Sequence, residues 1–578
     1  MKCFFSSCML VFFLCSLCPL NYLNACTTMI VTKGASTDGS TFVAHSDDDD
    51  LADQSIIYVP AKDWPKGAKR PVHGSAVANG DLPKFKDFSE PRLVDSSRSP
   101  DYAHPGYPKS VPLDYIPQVP HTYAYLDGNY GIVNEYGLMF GECTDGAKVT
   151  NNPEPGKRIF YSSELSRVAL ERCRTARDAI QLIGDLIEHY GYYGTGETLP
   201  VADSQEAWVI EMAPSPEGTG GLWVAQRVPD GEFFVAANEF RIRDIVPGNP
   251  DQMYARSLFN VVERTGIRSP KDKKKPMDWL TTVSKGEYSH PYYSLRRVWR
   301  AFSLAAPSLK LSPWVQDGTT RAYPFSVKPD AKMNLSDIKK IYRDHYEGTE
   351  FDLTKGIAAG PFGCPNRYLG PKDPSGDVGD PSVKLEGAWE RPISMFYTGY
   401  VFINQLKPNA QFPLNVVSWI ALNTPAESVF VPLAVAKTPR PYVNANPKKY
   451  DPNSAWWTYN LIGEYSNIKY SYMIKDIQSK ALKDEESSER VVNDLTYRLE
   501  NIAKTTPKKA IDEFSKALNQ NAERICKDWQ NFFIELHFKY NQGFINSSDK
   551  MAQKVGYSQD WLKYTNYKQG PTTYRKNK

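Results

Sequence analysis

Histidine is scarce in this 578-residue chain, and the common motifs for metals and nucleotides are missing from it. There are only eight histidines, with no H-E-x-x-H motif and no close group of cysteine and histidine, so a zinc centre is not expected. Glycine-rich phosphate loops and the G-x-S-x-G elbow of serine hydrolases are also absent. The sequence therefore predicts a protein without a metal, a nucleotide or another cofactor.

An excess of charge of one sign is missing as well. The chain has 69 lysines and arginines against 66 aspartates and glutamates, a formal net charge of +3. Proteins that bind nucleic acid gather basic residues on one face, and no such segregation is visible, so no nucleic-acid partner is expected. The 35 tyrosines and 43 prolines instead suit a protein that binds peptides or sugars outside the cytoplasm.

The N-terminal segment, residues 1–25, has the layout of a signal peptide. Lys2 supplies a positive charge, an apolar core follows over Cys8–Cys18 (CMLVFFLCSLC), and the small residue Ala25 closes a cleavage site. The apolar core is shorter than the roughly 20 residues of a membrane span, and no later segment is long and apolar enough. We expect an exported protein, periplasmic or secreted, without an integral membrane span, whose mature form begins at Cys26.

Cysteine is too sparse for a disulfide scaffold. Of nine cysteines, four lie in the predicted leader, and the mature chain keeps Cys26, Cys143, Cys173, Cys364 and Cys526. So few cysteines in so long a chain do not staple a fold. The odd number also leaves at least one thiol unpaired within the chain.

Short strand-like stretches follow the predicted leader, and helical patterns come after them. CTTMIVT (26–32) and STFVAHS (40–46) predict two short strands. The stretch 130–144 (YGIVNEYGLMFGECT) predicts a hairpin, with Glu142 and Cys143 on a strand that either borders a site or packs in the core. A helix is then predicted before residue 173, and a capping box, TARD (175–178), opens a second one that ends at Gly191.

Three strand-like stretches come next, and together they predict an antiparallel meander. They are EAWVIEMA (206–213), GLWVAQRV (221–228) and FFVAAN (233–238). Antiparallel strands with helices inserted between them indicate an α+β fold rather than a doubly wound one.

The composition changes past residue 470. Two long stretches there are charged, amphipathic and almost free of glycine and proline, which predicts a helical C-terminal segment that lies against the core or mediates oligomerisation. The predicted organisation is a signal peptide (1–25), a catalytic domain (26–470) and this helical segment (471–578).

Cys26 is open to three interpretations. It is a small buried hydrophobe, as many cysteines are, or a lipid attachment point, since LNAC partly resembles a lipoprotein box. Alternatively it is a nucleophile created by leader removal. The third interpretation is favoured because an N-terminal cysteine joins a thiol to an α-amine with an ordinary pKa of about 7.7–8.0, which can serve as its base. The strand-like TTMIVT that follows leaves no flexible tether for a lipid anchor.

CTTMIVTKGASTDGSTFVAHSDD closely resembles the opening of the cysteine dipeptidase family related to dipeptidase A and secernins. The resemblance continues through NEYGLMFGECTD, DSQEAWVIEM, VAANEFRI, YRDHYEGTEFDLTKGIAAGPFGCPNR and ERPISMFYTGYVFI, covering roughly residues 26–435 in order. Members of this family are N-terminal-nucleophile (Ntn) hydrolases, so the resemblance implies a four-layer αββα sandwich, here with a helical C-terminal segment.

The resemblance also implies roles for residues near the start of the mature chain. Cys26 matches the nucleophile, and Asp48 matches an acidic residue beside the nucleophile's amine or the substrate. Three residues before that aspartate the family usually has an arginine, whereas this chain has His45. A histidine replaces an arginine only when it is protonated, and its ordinary pKa near 6.5 would make the activity sensitive to pH.

Two further residues are assigned on the same basis. Asn238 in VAANEF resembles the asparagine that donates a hydrogen bond in the oxyanion hole. Arg297 in YYSLRRVWR resembles the distal arginine of the wider superfamily, and Arg296 is an equally near candidate.

Together these features predict an exported, cysteine-type dipeptidase whose partners are dipeptides or short peptides with free N-termini. One alternative is an N-acyl amide hydrolase on the same scaffold. The other is a lipid-anchored binding protein without enzymatic activity. Nothing in the sequence specifies an oligomeric state.

Overall fold

The computed structural model describes residues 26–49, 53–74, 93–103, 109–268, 275–368, 387–446, 449–571 and 573–574. The predicted signal peptide lies outside these residues. The strands are β1 Thr27–Val31, β2 Thr41–Asp47, β3 Ile57–Val59, β4 Lys62–Asp63, β5 Lys69–His73, β6 Pro112–Pro117, β7 His121–Thr122, β8 Tyr125–Asp127, β9 Gly131–Asn134, β10 Met139–Phe140, β11 Cys143–Asp145, β12 Gly196–Ala202, β13 Ala207–Pro214, β14 Gly221–Val228, β15 Phe233–Ala236, β16 Asp244–Ile245, β17 Gln252–Tyr254, β18 Met277–Asp278, β19 Ser326–Val327, β20 Tyr400–Leu406, β21 Val416–Leu422, β22 Val431–Leu433, β23 Phe544–Ile545 and β24 Gln553–Lys554.

The helices are α1 Ser162–Arg172, α2 Ala176–Tyr190, α3 Leu258–Arg264, α4 Trp279–Val283, α5 Leu295–Ala305, α6 Leu335–Tyr342, α7 Arg440–Val443, α8 Ala455–Ser466, α9 Tyr470–Thr505, α10 Pro507–Tyr540 and α11 Gln559–Tyr564. The Thr175 half of the predicted capping box of α2 is present, because the Thr175 hydroxyl accepts a hydrogen bond from the Asp178 N–H. The helix ends before Gly191, whose φ of 75° suits glycine.

Two large antiparallel sheets dominate the fold. The smaller has seven strands in the order β19-β15-β1-β2-β20-β21-β22, and the larger has the path β17-β14-β13-β12-β10-β9-β8-β3, with β11 paired to β12. The predicted strands after the leader are therefore β1 and β2, an antiparallel pair inside the seven-stranded sheet. Strands at such interior positions bond on both edges, which holds their backbone rigidly.

The predicted three-stranded meander is wrong at its third strand. β13 and β14 pair along their whole length, but β15 pairs with β1 and β19 in the other sheet. The turn between β14 and β15 thus carries the chain from one sheet to the other. Side-chain alternation shows that a stretch is a strand with a buried face, but it does not show which strand it bonds to.

The two sheets pack face to face, and helices cover their outer faces. One cluster between the sheets joins Ile30 and Val43 of the smaller sheet to Val133 and Val209 of the larger one. A second cluster packs α1 and α2 on the larger sheet, and a third packs α5 and α6 on the smaller one. Helices and antiparallel sheets thus combine in the α+β fold that the sequence predicts.

The C-terminal segment is helical and shares the core of the sheets. α9 and α10 form an antiparallel pair of 36 and 34 residues. Ile477 and Trp529 lie in the cluster between the sheets, and Val492 and Phe514 lie in the cluster on the outer face of the smaller sheet. In the described part of the chain, no helix combines the length and the apolar character that crossing a membrane requires.

Candidate active site

Cys26 directly precedes β1 and lies between the two neighbours of that strand. Thr27 lies opposite Ser46 of β2, and Thr28 lies opposite Ala236 of β15. Continuing these registers puts Cys26 between the end of β2 and the residues that follow β15. Its side chain is fully buried and belongs to the cluster between the two sheets, so the thiol points toward the larger sheet.

Side chains from both sheets meet at this thiol. The Cys26 Sγ, a ring nitrogen of His45 and a carboxylate oxygen of Glu142 all lie within 4.8 Å of one another. Glu142 reaches this point because Gly141 allows the sheets to approach closely. A Cβ on that glycine would collide with the Thr28 hydroxyl and press on Val43, so the contact between sheets requires glycine there.

His45 is held as a neutral imidazole. Its Nδ1 lies 2.8 Å from the backbone carbonyl oxygen of Glu142, so Nδ1 carries the proton and donates it. Burial lowers the pKa of His45 to about 3, because a charged ring is poorly solvated among the surrounding tyrosines and phenylalanine. The expectation that a protonated His45 replaces the family's arginine is therefore not met, since the ring is uncharged at neutral pH.

Burial also raises the pKa of two acidic groups near the thiol. It raises the pKa of Glu142 to about 7 and that of Asp47 well above its ordinary range. The pKa of the Cys26 thiol is raised well above 9.0, first by burial and then by the charges of Glu142, Asp47 and Asp48. With residue 25 attached, Cys26 is thus a protonated thiol that needs a base or a cation to become a nucleophile.

Asn238 lies just past β15 in a left-handed conformation, with φ of 61°. Its backbone N–H donates to the Cys143 Sγ at 2.6 Å, and its Nδ2 donates to the Thr144 carbonyl oxygen at 2.7 Å. Its Oδ1 accepts from Arg297 at 2.8 Å, which fixes the orientation of the amide. Since Nδ2 carries two hydrogens, one of them remains for a substrate oxygen.

Arg297 ties the backbone at Cys26 to Asn238. One Nη donates to the Cys26 carbonyl oxygen at 2.9 Å and to the Thr27 hydroxyl at 3.0 Å. The other donates to the Ala237 carbonyl oxygen and to Asn238. Of the two adjacent arginines, only Arg297 reaches the site. Arg296 stacks on Tyr292, Trp314 and Phe351 and donates to the Pro313 carbonyl oxygen.

Asp48 follows β2 and forms a buried ion pair with Arg391. One carboxylate oxygen accepts from the Arg391 guanidinium, and the other accepts from the Thr398 hydroxyl at 2.6 Å. Both side chains of the pair are at most 2% exposed. Asp48 therefore lies beside a guanidinium in the protein interior, and it is close enough to Cys26 to act on its thiol.

The fold thus brings all five predicted site residues into the same region of the structure. Sequence reasoning missed Arg391 as a partner of Asp48, although it lies in the stretch ERPISMFYTGYVFI that carries the resemblance. The sequence left open whether Glu142 borders the site, and the structure places its carboxylate beside the thiol. No local pattern marks either contact, because 343 residues separate Asp48 from Arg391.

Comparison with known proteins supports the resemblance in the sequence. The model of "Peptidase family C69" matches residues 25–83 and 140–483. A "Probable dipeptidase" of Salmonella dublin is 28% identical over 287 residues, which are 50% of this chain and 57% of that protein. A "Probable dipeptidase A" of Streptococcus pyogenes is 23% identical over 488 residues, which cover 79% of this chain and 84% of that protein.

A wider alignment is found with "Probable dipeptidase B" of Lactococcus lactis, 23% identical over 83% of this chain and 92% of that protein. Among solved structures, a penicillin V acylase from Agrobacterium tumefaciens matches 71% of this chain and 87% of its own, with 9% identity. Its TM-score is 0.28, and we base no conclusion on it.

Proposed function

Because this chain belongs to peptidase family C69, we propose that it is an exported dipeptidase that uses Cys26 as an N-terminal nucleophile. Signal peptidase would cleave after Ala25 and leave Cys26 as the first residue. The observation that carries this proposal is the clamp of Arg297. This one side chain binds both the Cys26 carbonyl oxygen and the Asn238 amide. It thereby fixes the position of the thiol-bearing residue relative to a hydrogen-bond donor.

Cleavage of the leader changes the electrostatics of the thiol. The Cys26 nitrogen is a neutral amide while residue 25 is attached, whereas the free α-amine has an ordinary pKa of about 7.7–8.0. A positive charge there opposes the carboxylates that raise the thiol pKa. The free amine is also the base that takes the thiol proton, directly or through one water. The precursor is therefore inactive.

The proposed reaction proceeds through a thioester. The thiol proton moves to the α-amine, and the sulfur forms a bond to the carbonyl carbon of the scissile peptide. The carbonyl oxygen becomes an oxyanion, which the second Nδ2 hydrogen of Asn238 and a backbone N–H bind. The carbon–nitrogen bond then breaks, and the leaving amine takes the proton. Water hydrolyses the thioester and restores the thiol.

The remaining predicted residues position these groups. Arg297 orients Cys26 and Asn238 without touching the sulfur. His45 packs beside the thiol as a neutral ring. Asp48 forms a fixed pair with Arg391 and acts on the Cys26 thiol, and we propose that this pair orients the free ammonium group of a short peptide. Recognition of that group would restrict the enzyme to substrates with free N-termini.

The names of the relatives favour a dipeptide over an N-acyl substrate. Three of the relatives, from Salmonella dublin, Streptococcus pyogenes and Lactococcus lactis, are called probable dipeptidases. The two matched ranges of the family model, 25–83 and 140–483, include all five predicted site residues. An N-acyl amino acid lacks the free ammonium group that the pair of Asp48 and Arg391 would orient. We therefore expect turnover of dipeptides and not of their N-acylated forms.

The first experiment determines the mass and the N-terminal residue of the mature exported protein, followed by a panel of dipeptides and N-acyl amino acids. A free Cys26 and hydrolysis of dipeptides are expected. Cys26→Ala should fold normally and lose turnover, whereas Cys364→Ala, the matched change at a half-exposed thiol, should keep it. A diacylglycerol adduct at Cys26, or substantial turnover by Cys26→Ala, would contradict the proposal.

A further inference from the structure

Three potential metal ligands converge at the site although no metal motif exists in the sequence. Cys26 Sγ, a ring nitrogen of His45 and a carboxylate oxygen of Glu142 lie within 4.8 Å of one another, and all three residues are buried. We propose that they form a binding site for a thiophilic divalent cation of the zinc class. Inhibition of the enzyme by such a cation rests on the proposed function of Cys26, whereas binding of the cation does not.

The hydrogen bonds of His45 prepare it as a ligand. Its Nδ1–H donates to the backbone carbonyl oxygen of Glu142, so the lone pair is on Nε2. Histidines that bind metals usually donate their other ring N–H to a carbonyl or a carboxylate in this way. Within the described residues, this Nε2 is buried and has no hydrogen-bond partner. Burial also keeps the ring neutral, which is the form that binds metals.

Glu142 likewise has a buried oxygen that is available to a ligand. Its Oε1 accepts from the Thr144 hydroxyl at 3.0 Å, whereas its Oε2 is buried without a hydrogen-bond partner in the described part of the chain. Buried polar atoms without partners are rare, and each one indicates a water, an ion or a functional contact. Both of these atoms belong to residues that approach one thiol within 4.8 Å, which points to a shared ligand.

The distances suit the cation after a small adjustment. With zinc–sulfur bonds of about 2.3 Å and zinc–nitrogen or zinc–oxygen bonds of about 2.1 Å, ligand atoms of a tetrahedral site lie about 3.4–3.6 Å apart. The present separations of up to 4.8 Å exceed this by about 1 Å, which rotation of the cysteine and glutamate side chains can supply. The α-amine of mature Cys26 would complete the tetrahedron, since it forms a five-membered chelate ring with its own sulfur.

The charges balance in this buried site. Binding releases the thiol proton to solvent, and the carboxyl proton too where Glu142 carries one, as ligands must be deprotonated. One thiolate, one carboxylate, a neutral imidazole and a dication then sum to zero, so the complex avoids the penalty for a net buried charge. The cation occupies both the nucleophile and its base, so it inhibits the enzyme reversibly, and a chelator restores activity.

Cobalt(II) added to the mature, leader-free protein tests the site, because a thiolate bound to cobalt gives a charge-transfer absorption band. One cobalt per chain and displacement by zinc are expected. His45→Gln and Glu142→Gln should each weaken binding at least about tenfold, since even changes outside the ligand set typically weaken it 10- to 100-fold. The control Cys364→Ala removes a half-exposed thiol and should keep the band unchanged.

A second measurement stands independently of whether those variants fold. Stoichiometric zinc should protect Cys26 of the wild-type protein from a thiol reagent, as read from the mass of its N-terminal peptide. A band that survives in His45→Gln and Glu142→Gln, or a Cys26 that zinc does not protect, would overturn the proposal. An inactive protein that still binds cobalt through Cys26 would refute the proposed function alone, and an active protein that fails to bind would refute this inference alone.

Discussion

Replacing Asn238 separates its proposed catalytic role from its structural one. The residue has a φ of 61°, donates through Nδ2 to Thr144 and accepts from Arg297. Asn238→Gly removes the proposed oxyanion donor and tolerates this backbone conformation. Asn238→Ala removes the same donor but forces an alanine into the left-handed region. The two variants therefore differ in strain and not in the group that they remove.

The magnitudes follow from these contacts. Loss of one oxyanion donor typically lowers kcat about 10²- to 10³-fold, or about 2.7–4 kcal/mol of barrier. The effect should be confined to kcat, with KM little changed, because the oxyanion exists only in the transition state. Alanine in the left-handed region costs roughly 1–2 kcal/mol relative to its ordinary conformation, so Asn238→Ala should be about 1 kcal/mol less stable than Asn238→Gly.

The assay measures dipeptide hydrolysis by the mature enzyme across a range of substrate concentrations, together with urea unfolding of each variant. Asn566 provides the matched control, since its φ is 55° and it lies exposed near the C-terminus, away from Cys26. Asn566→Ala and Asn566→Gly should show a stability difference of the same sign while kcat stays at the wild-type value.

The reasoning fails under two results. If Asn238→Gly keeps kcat within about tenfold of the wild type, its amide is not an oxyanion donor, since that loss is below the range for such donors. If kcat of the two Asn238 variants follows their stability instead of falling equally, the residue acts by holding the backbone and Arg297.

Three further predictions concern packing, pH and charge. Gly141→Ala should lower the free energy of unfolding by about 1–3 kcal/mol through overpacking between the sheets. The control Gly543→Ala should leave it unchanged, because no atom lies within 4 Å of the added Cβ. Equal midpoints of urea unfolding for the two variants would contradict this. Burial raises the pKa of Glu427 from 4.5 to about 7, so its stabilisation is full below pH 4.5 and is lost as the pH rises through 7. Glu427→Gln should flatten that fall, as read from melting temperature against pH, and an unchanged slope would count against it. Arg391→Met should destabilise the protein by about 3–5 kcal/mol because Asp48 stays buried without its cation; adding Asp48→Asn should recover most of this in a double-mutant cycle, and no recovery would refute the pairing.

Local features were predictable because local forces produce them. The strands next to the predicted leader and the hairpin of β9 and β10 follow from short strand-like runs that end at turn residues. The start and end of α2 follow from Thr175 and Gly191, since a capping hydroxyl and a glycine act on the nearest turn of the chain. The error at β15 has the opposite cause. Its pattern is that of a strand, but its partner β1 lies about 200 residues earlier.

Part of the site was predictable in the same way. Cys26 stands out because it joins a predicted leader to a strand, and the resemblance assigns Asn238 and Arg297. Sequence alone did not choose between Arg296 and Arg297, which are adjacent in the chain. α5 turns one of them toward Cys26 and the other toward a group of aromatic rings. That choice depends on the rotation of a helix in its packed position.

The sequence by itself therefore determined the α+β class and the peptidase family, and it marked Cys26 as the proposed nucleophile, because these depend on residue order, periodicity and similarity along the chain. The tertiary structure alone decided the state of the groups around Cys26. It made His45 neutral, brought Glu142 to the thiol and paired Asp48 with Arg391. Burial and the proximity of residues that are distant in the chain set these properties, and both arise only when the two sheets close over Cys26.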